Sequence, residues 1–206
     1  NATMVDADGL LKWAPHNFAP YSEEFTHSNW LKLNVSVIGN DATAPNGTLT
    51  ADKLYPATTG TQRFVYRQAS NLLTVSVENV VACYFKAAEM DVAYLTHAGG
   101  DDTLKCFFNL TTGVATIGTY GSDPFMVDVG NGWWKCGYTR PVNGTWFEIG
   151  VADAVGNSTA TNNGTDGIRI WGAHLYRSDL GGMVNNPNAA AGFETYVPTT
   201  DAARYL

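Results

Sequence analysis

The strongest constraint on the fold is that apolar residues never follow a sustained helical period. Short runs of β-branched and aromatic residues recur instead, separated by Gly, Asn, Pro and Thr clusters. That pattern predicts a β-sandwich or barrel. The clearest predicted strands are Trp30–Val37, Ala51–Tyr55, Arg63–Gln68, Leu73–Lys86, Val92–Thr96, Lys105–Leu110, Phe125–Val129, Trp133–Thr139, Trp146–Val151 and Ile168–Tyr176. Gly130-Asn131-Gly132 and Asn143-Gly144 supply the positive φ values that tight hairpins need, so Phe125–Val151 reads as three consecutive antiparallel strands. Thr111-Thr112-Gly113 turns another hairpin, and Asp6-Ala7-Asp8-Gly9 has turn chemistry in a separate lead-in.

No repeat or linker divides the 206 residues, which suits one large β domain. The opening Asn1-Ala2-Thr3, without a start methionine, reads as a processed chain or a piece of a longer one. Charged residues make up only 15% and the formal net charge is -7. Nucleic acid is disfavoured as a partner, because phosphate binding needs a basic footprint. No run of about 20 apolar residues exists to insert in a membrane. Cys83, Cys106 and Cys136 are odd in number, lack CxxC spacing and sit in apolar runs, so they read as buried free thiols. Free thiols favour folding in a reducing cytoplasm. The Asn-x-Ser/Thr triplets, such as Asn34 and Asn46, are expected by chance in so Asn- and Thr-rich a chain.

Alternation assigns faces. Trp134, Cys136 and Tyr138 share one side of their strand, and Trp133, Lys135, Gly137 and Thr139 the other. In the next strand Phe147, Ile149 and Val151 point inward, leaving Trp146, Glu148 and Gly150 outward. If the two strands form a hairpin, Trp133, Lys135, Trp146 and Glu148 line one outer surface. In the last strand, Ile168, Ile170, His174 and Tyr176 fall on one face and Trp171, Ala173 and Leu175 on the other. Both faces are apolar, so this strand is central or covered by another layer.

Chemistry-bearing motifs are sparse. GxSxG, SxxK, Cys–His and HExxH patterns are missing, and His16, His27, His97 and His174 are scattered. Gly-rich phosphate loops are missing too, so no nucleotide cofactor is expected. Glycoside hydrolysis needs two carboxylates, but Glu23-Glu24 are adjacent, Glu148 and Asp153 face different ways, and Asp101-Asp102 lie in a loop. Asp6-x-Asp8-Gly9 resembles the start of a calcium loop without its downstream Glu, so a structural calcium ion has no motif behind it. Aromatic residues remain: six Trp and ten Tyr in a weakly charged β domain suit stacking on sugar rings. Parity marks Trp133 and Trp146 as the exposed pair, with Lys135 and Glu148 reading hydroxyls, while Trp30, Trp134 and Trp171 go to the core.

Several segments resemble a known family. Tyr21-Ser22-Glu23-Glu24-Phe25 followed by Asn29-Trp30 resembles the Y-S-E-D/E-F…W opening of jelly-roll domains in bacteriophage tail-fibre and other virion-surface proteins. Ala44-Pro45-Asn46-Gly47-Thr48 with Thr50-Ala51-Asp52-Lys53-Leu54 is similar to that group's A-P-D-G-T…T-A-D-K-L stretch. Phe85-Lys86-Ala87-Ala88-Glu89 matches its strand end, Gly130-Asn131-Gly132-Trp133-Trp134-Lys135-Cys136 its G-N-G-W-W/Y-K/R-C, and Tyr196-Val197-Pro198-Thr199-Thr200 its closing Y-I/V-P-T-T. Ile170-Trp171-Gly172-Ala173-His174-Leu175 is similar to I-W-G-A-Q-L, with His174 in place of Gln. Even the lead-in Val5–Lys12 resembles what precedes these domains in phage proteins.

The resemblance implies an antiparallel β-sandwich of jelly-roll type, concanavalin A-like and carbohydrate-binding-module-like, on a virion surface. It supplies no ligand residues. The expected organisation is an arm at 1–20, the sandwich at 21–200 and an exit segment at 201–206. The expected function is non-catalytic binding of host-surface glycans in a tail fibre or related appendage, homo-oligomeric or multicopy, alongside other virion proteins. A structural role in capsid decoration or fibre assembly, without a glycan ligand, is the alternative.

Overall fold

The computed structural model describes residues 2–68, 77–97, 100–140 and 146–205. The strands are β1 (Thr3–Val5), β2 (Leu11–Trp13), β3 (His16–Asn17), β4 (Leu31–Leu33), β5 (Val35–Ala42), β6 (Ala51–Pro56), β7 (Phe64–Gln68), β8 (Asn79–Ala87), β9 (Val92–Thr96), β10 (Lys105–Asn109), β11 (Val114–Ile117), β12 (Ser122–Gly130), β13 (Trp133–Arg140), β14 (Trp146–Ala152), β15 (Ile168–Arg177) and β16 (Arg204–Tyr205). Among the described residues the one helical element is a single 3₁₀ turn, Asp102–Leu104.

Two six-stranded antiparallel sheets carry the fold, in the orders β11-β10-β9-β14-β7-β4 and β12-β13-β8-β15-β6-β5. The first is the β14 sheet and the second the β15 sheet. Their central strands pair as β6 with β15, β7 with β14, β8 with β13 and β9 with β10. First pairs with last, then second with second-last, as in one long hairpin rolled around a core. That nesting is a jelly roll, the class expected from sequence. The inner faces meet in one apolar core containing Trp30, Val65, Phe85, Leu95, Phe108, Tyr138, Phe147, Ile149, Ile170 and Leu175. Cys83, Cys106 and Cys136 are free and buried in this core. Burial raises all three thiols, that of Cys106 to about 12, so they pack as small apolar groups.

Two parity expectations need correction. Asn131 and Gly132 do turn β12 into β13, at φ 55 and 77. However, β13 does not continue as a hairpin into β14, because β13 pairs with β8 in the β15 sheet while β14 crosses to the other sheet, between β9 and β7. The Asn143-Gly144 turn and residues 73–76 of a predicted strand lie outside the described residues. The second correction concerns β15, whose register against β8 shifts between Trp171 and His174. Gly172 sits in this bulge at φ 64, where an added Cβ would stand 2.7 Å from the Tyr84 ring. The bulge reverses the alternation, so Ala173 and Leu175 join Ile168 and Ile170 in the core while His174 faces out. As expected, β15 is an interior strand, flanked by β8 and β6.

The first twenty residues are tied into the sandwich. β1 and β2 form a hairpin whose turn is held by Asp6: Oδ1 accepts from the Asp8 and Leu10 amides, and Oδ2 pairs with Lys12 at 2.9 Å. β3 pairs with β16, joining the lead-in to the C-terminal segment. Asn17, fully buried, donates from Nδ2 to the Ala173 and Val197 carbonyls and accepts at Oδ1 from the Ala19 and Leu175 amides.

Candidate functional site

Of the two outer faces, that of the β15 sheet is covered. Trp133, Tyr84, Trp171, Ala44 and Ala51 form a second apolar cluster, with Phe193 and Tyr196 of the C-terminal segment packed on it. Phe193 stacks on Tyr84 with centroids 5.2 Å apart, and Tyr196 lies 5.0 Å from Trp171. Trp133 is 1% exposed and donates from Nε1 to the Thr43 carbonyl at 3.2 Å. Lys135 is buried beside it, its ammonium 5.9 Å from the Tyr84 ring centre. Burial draws its pKa down to about 8 against the opposing pull of Glu194. Tyr84 and Trp171 therefore carry the C-terminal segment, with Trp133 buried in the same cluster.

The outer face of the β14 sheet is partly open. Lys105, Thr96, Glu148, Tyr66 and Leu31 are successive cross-strand neighbours from β10 through β9, β14 and β7 to β4. The adjacent row is Phe107, Tyr94, Gly150, Phe64 and Leu33. Gly150 makes this row possible, because a Cβ there would run into the Tyr94 ring. Tyr94 leans across the strand and donates to the Arg63 carbonyl at 3.1 Å. Where Tyr94 and Phe107 are buried the face is closed. Beyond them it opens into a cleft of about 430 Å³ lined by Leu33, Gln62, Phe64, Tyr66, Gly100, Trp146 and Glu148.

Half-buried Trp146 and Tyr66 meet edge to face at 5.4 Å and 71°, and Phe64 meets Tyr66 likewise at 5.5 Å. Trp146 is anchored by its backbone, its amide bonded to the His97 carbonyl at 3.1 Å and its carbonyl to Arg140 at 3.3 Å. Glu148 lies at the floor, 2% exposed, and its buried Oε2 has no hydrogen-bond partner. Burial pushes its carboxyl up to about 7, and the Lys105 ammonium only partly opposes that. Lys105 is engaged elsewhere, bonding the Gly100 carbonyl at 2.8 Å and Asp102 at 3.1 Å. Glu148 is the only carboxyl among the described lining residues, whereas two-carboxylate glycoside hydrolysis needs a second.

The four residues expected on one surface thus divide by sheet. Trp146 and Glu148 meet in the cleft; Trp133 and Lys135 lie on the opposite outer face. Phe64 and Tyr66 belong to the site and were missed by sequence reading, although their alternation with Val65 was a usable signal. Among the described residues no group of three His, Cys, Asp or Glu side chains could hold a metal ion, and Asp6 is committed to its own turn. An acidic pocket of about 200 Å³ includes Glu89, Asp91 and Asp153, which bond Lys53, Thr111 and Thr161 respectively.

Fold and site together define a jelly-roll β-sandwich with an aromatic cleft on one outer face. The chain matches no protein-family model and gives no significant match to a curated protein. Among solved structures it is similar to the Clostridium thermocellum N-terminal endo-1,4-beta-D-xylanase 10B, determined as CBM22-1-GH10 modules complexed with xylohexaose. The identity is 11% and the TM-score 0.45, over 88% of this chain and 30% of that one.

Proposed function

We propose that the protein is a non-catalytic glycan-binding module whose site is the cleft on the β14 sheet. The observation that carries this reading is a half-buried aromatic pair, Trp146 and Tyr66, lining one cleft with Glu148, whose buried carboxyl oxygen has no partner. Flat rings provide stacking surface for the apolar face of a pyranose, and Glu148 provides an acceptor for its hydroxyls. The cleft is open, so single-site affinity is weak and copies on a particle raise it through multivalency. The collinear sequence motifs support a bacteriophage setting: a tail fibre or related appendage, folded in the host cytoplasm, multicopy on the virion surface, and used in host adsorption.

A glycan array tests the reading. Wild type is expected to bind a subset of glycans, and Trp146→Ala is expected to lose about tenfold or more of that signal, as loss of a stacking anchor does. Trp133→Phe, on the covered face, serves as the control and keeps the signal. A blank array with wild type would favour the decoration or assembly role, and undiminished binding by Trp146→Ala would place the sugar elsewhere.

A further inference from the structure

Resting on that reading, we propose that Glu148 makes the cleft selective for uncharged saccharides, taking a ring hydroxyl on Oε2 and turning away uronate, sialyl and other anionic sugars. The geometry starts from the orphaned oxygen. A buried carboxyl oxygen without a donor is a costly feature for a fold to retain, and this one lies at the floor of an accessible aromatic cleft. A sugar hydroxyl is the neutral donor that satisfies it; a sugar carboxylate brings a second negative charge into the same poorly solvated space. Like charges so placed disfavour a ligand strongly.

The surrounding groups do not reverse this. Tyr66 faces Glu148 from β7, and Tyr94 lies near it on β9, its phenol pushed up by burial. Tyr138, on β13, has its hydroxyl on His97 at 2.9 Å, and burial keeps that imidazole neutral, with a pKa of about 4. Lys105, on β10, is the cation that acts on Glu148, and it is bonded to Gly100 and Asp102. Among the described lining residues none is cationic, so none of them offers an anionic sugar a counter-charge. Because the carboxyl titrates at about 7, its exclusion of anions operates above that pH and relaxes below it, where the protonated group can itself donate.

The test is an array carrying neutral glycans beside their sialylated and uronate-bearing counterparts, read at about pH 8.5 and about pH 5.5 with wild type and Glu148→Gln. At the higher pH, wild type is expected to favour each neutral glycan by about tenfold or more, and the gap narrows at the lower pH. Glu148→Gln lowers the neutral signal and brings the ratio to about one at both pH values. Equal binding of both classes by wild type at the higher pH, or a gap that survives Glu148→Gln, overturns the selectivity and leaves glycan binding standing. A blank array under both conditions overturns the selectivity together with the reading it rests on.

Discussion

Asn17→Ala is expected to lower unfolding stability by about 3 to 4 kcal/mol, measured by chemical denaturation, and Tm by about 10 °C. The side chain is fully buried and makes bonds to Ala19, Ala173, Leu175 and Val197 at 2.9–3.0 Å. Alanine removes both halves of this exchange at once. The Leu175 and Ala19 amides lose their acceptor, and the Ala173 and Val197 carbonyls lose their donor, in a space too tight for easy rehydration. The consequence reaches the covered outer face, because Val197 follows directly on Tyr196, which packs against Trp171. A loss below about 1 kcal/mol would show that the lead-in contributes little to holding the sandwich closed.

Glu148→Gln is expected to act in the opposite direction. With its carboxyl raised to about 7, folded protein holds a proton at Glu148 that unfolded chain releases near the ordinary Glu value. Between those two values the native state binds more protons than the unfolded state, so stability falls as pH rises. The loss is complete above about 7 and absent below the ordinary Glu value. Glutamine carries no charge to desolvate and escapes it. The variant should therefore exceed wild type by about 2 to 3 kcal/mol at alkaline pH, with the difference vanishing near pH 4. Parallel denaturation curves across that range check the prediction. A difference that does not change with pH would mean that Glu148 titrates normally. A carboxyl that weakens its own fold in this way, inside an open cleft, is what a ligand-binding role would retain.

How much of this was legible in the sequence depends on which physical signal each element uses. The core strands announce themselves by β-branched and aromatic runs, and the cysteines by their apolar neighbours. Alternation gave the faces of β13 and β14 correctly, with Cys136 and Tyr138 inward on one and Phe147, Ile149 and Val151 inward on the other. What alternation lacks is any record of which sheet a strand joins. A jelly roll and a meander share the same pattern along β12, β13 and β14, so Trp133 and Trp146 looked adjacent while standing on opposite outer faces. The bulge at Gly172 was hidden for a different reason: a single left-handed residue inverts the parity of everything after it. The cover over Trp133 and Trp171 was equally hidden, because Phe193 and Tyr196 reach it from an irregular segment without periodicity. Glu148 was read as an outward polar residue, but its burial arises from cross-strand neighbours that only the assembled sheet reveals.

The central claim is that a saccharide seats against Trp146 on the β14 sheet. The most direct measurement follows the indole N–H NMR signals of the six tryptophans while a glycan selected on the array is titrated in. The account predicts a progressive shift of the Trp146 signal, with those of Trp133 and Trp171 unmoved beneath the C-terminal segment. A shift at Trp133 or Trp171 with Trp146 unchanged would contradict it.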